Sequence, residues 1–285
     1  MSSLWMIAAS LLFACMGVCV KLGAAKFSAA ELVFYRGFVA CLLLFAYVRM
    51  VGLPLGTPHW RTHLTRGAAG FISLVSYFYA ISLIPLATAV TLNYTSPLFM
   101  ALLLAFWLRE PVRPMMFLTI ATGLAGVALL LQPSLNSEQL LGGLLGLGSG
   151  IIASVAYLNV RRLGELGEPE WRTVFYFSLM ATLGGLPWAL ANATFHHIDA
   201  EGAGLLLGVG SFGAAAQLCM TRAYKQGRTV VTATLAYSTV IFSSVFGIWI
   251  WGEQLPLISW LGIGVIIASG ALTSALARAA PLEQD

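Results

Sequence analysis

Hydroxyl side chains recur at helical spacing in two apolar stretches of this chain. Thr91, Tyr94, Thr95 and Leu98 follow the pattern i, i+3, i+4, i+7, and Thr234, Tyr237, Ser238 and Ile241 repeat it. That spacing places each set on one face of a helix. Polar groups deep in an apolar span face protein or a water-filled cavity, because hydrocarbon offers them no partner. Two such faces can therefore line a site for a polar solute from both sides. The plainer alternative is that Thr and Ser return hydrogen bonds to their own backbone while the tyrosines pack. Asn93 and Ser96 lie on a neighbouring face of the first stretch, and Tyr77, Tyr79, Tyr157, Asn159 and Gln217 fall in other apolar runs. Each is a candidate lining residue, and each serves equally well as a polar link between helices, worth about 0.6 kcal/mol on average.

Arg36 is the charged residue that falls well inside a predicted span, about six residues and thus about 9 Å from its end. An unpaired arginine at the bilayer centre costs roughly 2.5–3.5 kcal/mol. Its guanidinium either snorkels to the surface or bonds helix-end carbonyls, or it faces a cavity and pairs with a carboxylate or phosphate. Paired acids, a histidine–nucleophile set and metal-ligand spacing are all missing from the spans, which disfavours a membrane-embedded enzyme. Cys15 and Cys19 stand one turn apart in an apolar run and read as small buried hydrophobes, as do Cys41 and Cys219. The pair His59/His63 reads as interfacial, and "HHIDAE" (196–201) as a solvated turn. No metal and no cofactor is expected.

The elements that would position these residues follow from composition. Of 285 residues, 59% are hydrophobic and 9% charged, with a mean hydropathy of +0.87. A soluble domain carries about 25% charged residues, so lipid is the solvent here. A net charge of +4 gives no basic patch for a nucleic acid. The N-terminus has no basic region before its apolar run, so it reads as a first span and not as a cleaved signal. Spans of about 20 apolar residues are predicted at 3–22, 30–50, 66–84, 87–108, 114–131, 139–161, 172–192, 203–223, 229–251 and 256–277. Ser28 and Glu31 have capping-box spacing at the start of the second. With the N-terminus in the cytoplasm, twelve Lys and Arg fall on the inner side, including Arg66, Arg161, Arg162 and Arg172, against Lys21 and Lys26 outside. This bias puts both termini in the cytoplasm. Tryptophans near the span ends, among them Trp60, Trp249 and Trp260, form an interfacial belt.

The chain repeats itself. Shifted by 143 residues, 67–129 aligns with 210–272 without a gap and with thirteen identities, among them Gly70/Gly213, Tyr94/Tyr237 and Glu110/Glu253. The earlier helices match more loosely, "KLG" at 21–23 facing "RLG" at 162–164. Each half holds five spans, an odd number, so the halves cross the membrane in opposite directions. Inverted repeats build secondary transporters whose midplane site opens alternately to either side. The expected fold is therefore an all-α membrane protein, ten transmembrane helices as two inverted five-helix repeats, 1–134 and 135–285. Val240 stands where the first repeat has Pro97, so a proline bend in the fourth helix lacks a sequence twin. Gly142, Gly146 and Gly150 form a small-residue ladder that packs inside a monomer or seams a homodimer.

"FYRGF" (34–38), "TSPLFMALLLAFWLRE" (95–110) and the weaker "STVIFSSVFGIWIWGE" (238–253) resemble the drug/metabolite transporter superfamily, specifically its EamA-type members. The resemblance covers nearly the whole chain. It implies a central cavity and transport of a small organic metabolite across the cytoplasmic membrane, often outward. The expected partners are a small-molecule substrate and membrane lipid. An amino acid or a relative leads, and an organic anion held by Arg36 is the alternative. A scaffold protein without transport is the remaining possibility. The set expected to meet substrate is Arg36, Tyr79, Asn93, Tyr94, Thr95, Ser96, Tyr157, Asn159, Gln217, Tyr237 and Ser238. The mid-span regions offer no carboxylate for proton coupling, which favours uniport or exchange.

Overall fold

The computed structural model describes residues 2–106, 114–131, 137–192, 195–226 and 235–278, which are helical but for short connections and contain no strand. The helices are α1 (Ser2–Gly23), α2 (Ala29–Val51), α3 (Trp60–Leu83), α4 (Leu86–Asn93), α5 (Ser96–Phe106), α6 (Pro114–Leu131), α7 (Ser137–Glu165), α8 (Glu170–Asn192), α9 (Ala200–Gln226), α10 (Ser238–Trp251) and α11 (Leu257–Arg278). Six of them are long and apolar enough to cross a membrane. Local chemistry explains several ends. Ser28 caps α2 with Glu31 in the predicted capping box, and Gly52 closes it at φ 74°, a left-handed conformation that glycine adopts without a Cβ clash.

The main helix pairs follow the repeat. α1 packs on α9, and its counterpart pair is α7 on α3; α2 packs on α8 and α6 on α11, each of these two pairs mapping onto itself, and α4 packs on α10. Glycines set the closest approaches. A side chain on Gly67 would strike Met180, and one on Gly210 would strike Val39; these glycines are equivalent in the repeat. The Gly142–Gly146–Gly150 ladder faces Leu83, Ile84 and Leu92 of the same chain, with Gly150 against the Leu92 and Asn93 carbonyls. It is used inside the monomer.

Three details differ from the sequence reading. First, α3 begins at Trp60 and not near 66, because His63 in its first turns is buried against Tyr176, with ring centroids 4.7 Å apart. His63 is thus a core residue, not an interfacial one. Second, the fourth span is interrupted: Tyr94 and Thr95 form a turn between α4 and α5, and Tyr237 forms a turn between helical Ala236 and Ser238. The interruption therefore has its twin without a second proline. Third, Ile241 is 59% exposed and does not share the buried face of Tyr237. Thr234 and Glu110 lie outside the described residues.

Candidate functional site

A small cavity of about 70 Å³ lies between α1, α2, α3, α4, α7, α8 and α9. Arg36 and Arg66 supply its charge, and Ser73, Tyr77, Asn93, Tyr94, Tyr157 and Gln217 its neutral polar groups. Phe13, Met16, Leu74 and Phe177 make the apolar wall. Among the described residues no Asp, Glu or His lines it. A second, larger hollow is lined by Trp5, Tyr47, Trp171 and Arg222, on α1, α2, α8 and α9, and so also by both halves.

Both arginines are buried, at 1% and 2% exposure. Their Cζ atoms stand 4.4 Å (Arg36) and 3.8 Å (Arg66) from the centroid of the same Phe177 ring. Arg66 Nη2 donates to Gln217 Oε1 at 3.2 Å. The Nε and Nη1 groups of both arginines have no hydrogen-bond partner among the described residues, and neither guanidinium meets a carboxylate there. A cation–π contact offsets about 0.5–2 kcal/mol, whereas dehydrating one ion costs several kcal/mol after relaxation. Among the described residues the cavity thus holds charged donors without a hydrogen-bond partner.

Of the expected lining residues, the fold brings together Arg36, Asn93, Tyr94, Tyr157 and Gln217. Arg36 does not snorkel. It turns inward because α2 crosses α8 so closely that a side chain on Gly37 would strike the Ser178 carbonyl and Thr182 nitrogen. Asn93 Nδ2 donates to Ser149 Oγ at 2.9 Å, joining α4 to α7. Tyr237 is 2% exposed and sits behind Tyr94, with ring centroids 6.3 Å apart; Thr239 Oγ1 donates to the Tyr94 hydroxyl at 2.8 Å. Thr95 and Ser238 follow the plainer reading, donating to the carbonyls of Leu92 (2.6 Å) and Leu235 (2.5 Å). Ser96 is buried at the start of α5, outside the cavity wall. Asn159 joins α7 to α3 through Thr65 Oγ1 at 3.0 Å. Tyr79 is 42% exposed and faces away from the cavity. The four cysteines are unpaired and half-buried.

Sequence reasoning missed Arg66, Ser73 and Phe177. Arg66 was assigned to the inner surface because hydropathy placed the span boundary at that residue. Its available signal was position: Arg66 lies one turn before Gly70, the glycine repeated as Gly213.

Charges at the two ends of the bundle are partnered. At the end carrying Arg161 and Arg172, the buried Glu168 carboxylate accepts from Thr57 and from Arg172 Nη1 (2.9 Å) and lies 3.6 Å from His63. Burial raises the proton affinity of Glu168, but the hydrogen bonds from Thr57 and Arg172 and the nearby positive charge outweigh it, holding the carboxyl below its ordinary value. At the opposite end, Glu253 takes an ion pair from Lys21 and a hydrogen bond from the Leu86 amide at 3.1 Å, tying α1 and the start of α4 to the end of α10.

The EamA-like transporter family model matches residues 1–132 and again 140–275. The chain belongs to the EamA-like transporter family. It is a multi-pass membrane protein with the ten-helix fold of that family, and a transporter, not an enzyme. A pseudopaline exporter of Pseudomonas aeruginosa is 30% identical over 259 residues, 91% of this chain and 90% of the relative. A riboflavin transporter of Vibrio cholerae is 25% identical over 280 residues, 94% and 91% of the two chains. An S-adenosylmethionine uptake transporter of Rickettsia bellii is 25% identical over 249 residues, covering 85% and 82%. One solved crystal structure, 20% identical, superposes with a TM-score of 0.70 over 99% of both chains, a likeness of fold alone. Small molecules are what the named relatives carry.

Proposed function

We propose that this EamA-like protein carries a small organic anion across the cytoplasmic membrane by alternating access, with the anion held in the central cavity. The observation that carries the reading is the pair of buried guanidinium groups whose spare N–H donors have no partner. A guanidinium stays charged at any physiological pH, and among the described residues no carboxylate compensates either one, which supports an anionic solute in that place. The expected amino acid is the weaker fit. Its carboxylate suits the arginines, but its ammonium would meet only neutral acceptors such as Asn93 and Gln217, the latter already accepting from Arg66.

Orientation follows from charge. With α3 beginning at Trp60, Arg66 leaves the surface count, and eleven basic residues still fall on one side against two on the other. That side is assigned to the cytoplasm, with both termini. The cavity residues Arg66, Tyr157 and Gln217 lie in the half of their helices nearer that end, while Glu253 and Lys21 close the opposite end. This favours loading from the cytoplasm and export, the direction named for the Pseudomonas relative.

The test is a thermal-shift screen of purified protein against carboxylates and phosphate esters, followed by counterflow of the best hit in proteoliposomes. Arg36→Ala and Arg66→Ala are each expected to bring counterflow to background. Full counterflow in both variants would remove the arginines, and with them the anion, from the proposal.

A further inference from the structure

We infer that the cavity is built for a ligand carrying two negative charges, one for each arginine, with Phe177 in contact with both guanidinium groups. The inference rests on the reading of this cavity as an anion site and narrows its substrate class.

Charge balance is the first argument. The cavity holds two permanent cations and no acid among the described residues. A monoanion would leave one guanidinium dehydrated and uncompensated, at a cost of several kcal/mol. A dianion leaves none. Neutral lining groups can share hydrogen bonds but cannot cancel the remaining charge.

Geometry is the second. α2 and α8 occupy equivalent places in the two halves and begin 141 residues apart, at Ala29 and Glu170. By that offset Phe177 is the equivalent of Arg36. The glycines behind them are equivalent too. A side chain on Gly70 would strike Phe177 and Arg66 Nη1, and one on Gly213 would press on Arg36 Nε at 3.2 Å and Met16. The bundle thus reserves room for a guanidinium beside each repeated glycine. Where strict symmetry would have placed a third arginine facing Arg36, it places an aromatic ring. The ring attracts both cations but offers neither a hydrogen-bond acceptor, so each keeps free N–H groups for a separate carboxylate or for separate oxygens of one phosphate.

The specificity follows from leaving a charge-assisted donor unmade. Removing one negative charge from a ligand that engages both arginines should weaken binding at least tenfold. Purified full-length protein in detergent is titrated by calorimetry and thermal shift with succinate, glutarate and inorganic phosphate at pH 8. The matched monoanions succinamate and glutaramate and the neutral succinamide serve as comparators. At least one dicarboxylate is expected to bind ten times more tightly than its monoamide, or phosphate to bind where the monoanions do not. The first result points to a dicarboxylate and the second to a phosphate monoester.

Arg36→Gln and Arg66→Gln should each abolish the preference for two charges while leaving weak monoanion binding. Phe177→Leu should lose the preference with total charge unchanged, and Phe177→Tyr should restore it, a rescue that a merely structural role would not require to track ligand charge. If a variant fails to run as a single species on gel filtration, Arg36→Met or Arg66→Met replaces it, likewise removing one cation, with the same loss of preference expected. Equal affinity of wild type for dianion and monoamide overturns the two-charge inference while the anion site stands. No response to any anion, or a response that survives in the Arg36→Gln/Arg66→Gln double variant, overturns the anion site itself.

Discussion

Arg66 and Arg172 lie at the same end of the bundle, in the first turns of α3 and α8, and their surroundings are opposites. Arg172 donates to Glu168 at 2.9 Å and to the Pro54 carbonyl at 2.9 Å, and lies 5.1 Å from the Trp171 ring. Arg66, more deeply buried, holds one amide oxygen and shares the Phe177 ring with Arg36. The first arrangement joins the loop after α2, the turn before α8 and the start of α3 into one unit. The second leaves donors unspent at the centre of the molecule. The lesson is that burial of charge has two uses in this protein. At Arg172 carboxylate and carbonyl partners make the charge a fastener between elements, while at Arg66 most donors have no partner among the described residues, which fits the proposed anion site.

The sharpest break of that comparison is at Glu168. Glu168→Ala would strand Arg172, and breaking a buried pair costs about 3–5 kcal/mol. A large fall in thermal midpoint is expected, with ligand affinity per folded molecule unchanged. The same carboxylate sets an acid limit. Its folded pKa is depressed, so its contribution is present above the ordinary value near 4.3 and disappears as pH falls through the folded value. Melting curves recorded from pH 6 downward should show wild type losing its advantage over Glu168→Gln only below about pH 4.3; a steady loss between pH 8 and 5 would contradict this sign.

The cavity arginines should behave in the reverse way. Arg66→Met removes an unpaired buried charge, so the unliganded protein should melt no lower than wild type. Binding of the anion should weaken about 10- to 100-fold, as expected from losing a charge-assisted hydrogen bond of roughly 1.5–3 kcal/mol. A marked drop in stability without loss of binding would place Arg66 with the fasteners.

A smaller effect belongs to the far end. Glu253→Gln weakens the tie from Lys21 and Leu86, for which about 1 kcal/mol is expected. Its readout is accessibility: a cysteine placed at Ser73 should react faster with a membrane-impermeant thiol reagent in Glu253→Gln than in the Ser73→Cys parent when the reagent is applied from the Lys21 side. Equal rates would show that this tie does not close the cavity. The smallest effect expected is Thr239→Val, which removes the hydrogen bond to the Tyr94 hydroxyl, worth about 0.5–1.5 kcal/mol, and should leave charge selectivity untouched.

Much of this was legible in the residues. Spans declare themselves through apolar length, so ten helices could be placed within a few residues of where most of them lie. The capping box at Ser28 and Glu31 and the small-residue face of α7 are local patterns with local consequences. Five of the eleven expected lining residues meet in one cavity because polar groups inside apolar runs have few other places to go. The residues outside the cavity have separate causes. Tyr79 lies on the exposed face of α3, while Thr95 and Ser238 spend their hydroxyls on their own backbone beside the turns at Tyr94 and Tyr237, where no spacing rule carries across a break.

The residues alone determined that the chain lives in lipid, that it crosses ten times, and that its halves run in opposite senses, since hydropathy and an odd repeat suffice for these. Only the tertiary structure decided that Arg66 joins Arg36 in the interior and that both rest on Phe177. Hydropathy sees an arginine near a span end as a surface group. What keeps it inside is the depth at which α3 meets α8, set by glycines that let two backbones approach, and that is a property of pairs of helices, not of either one.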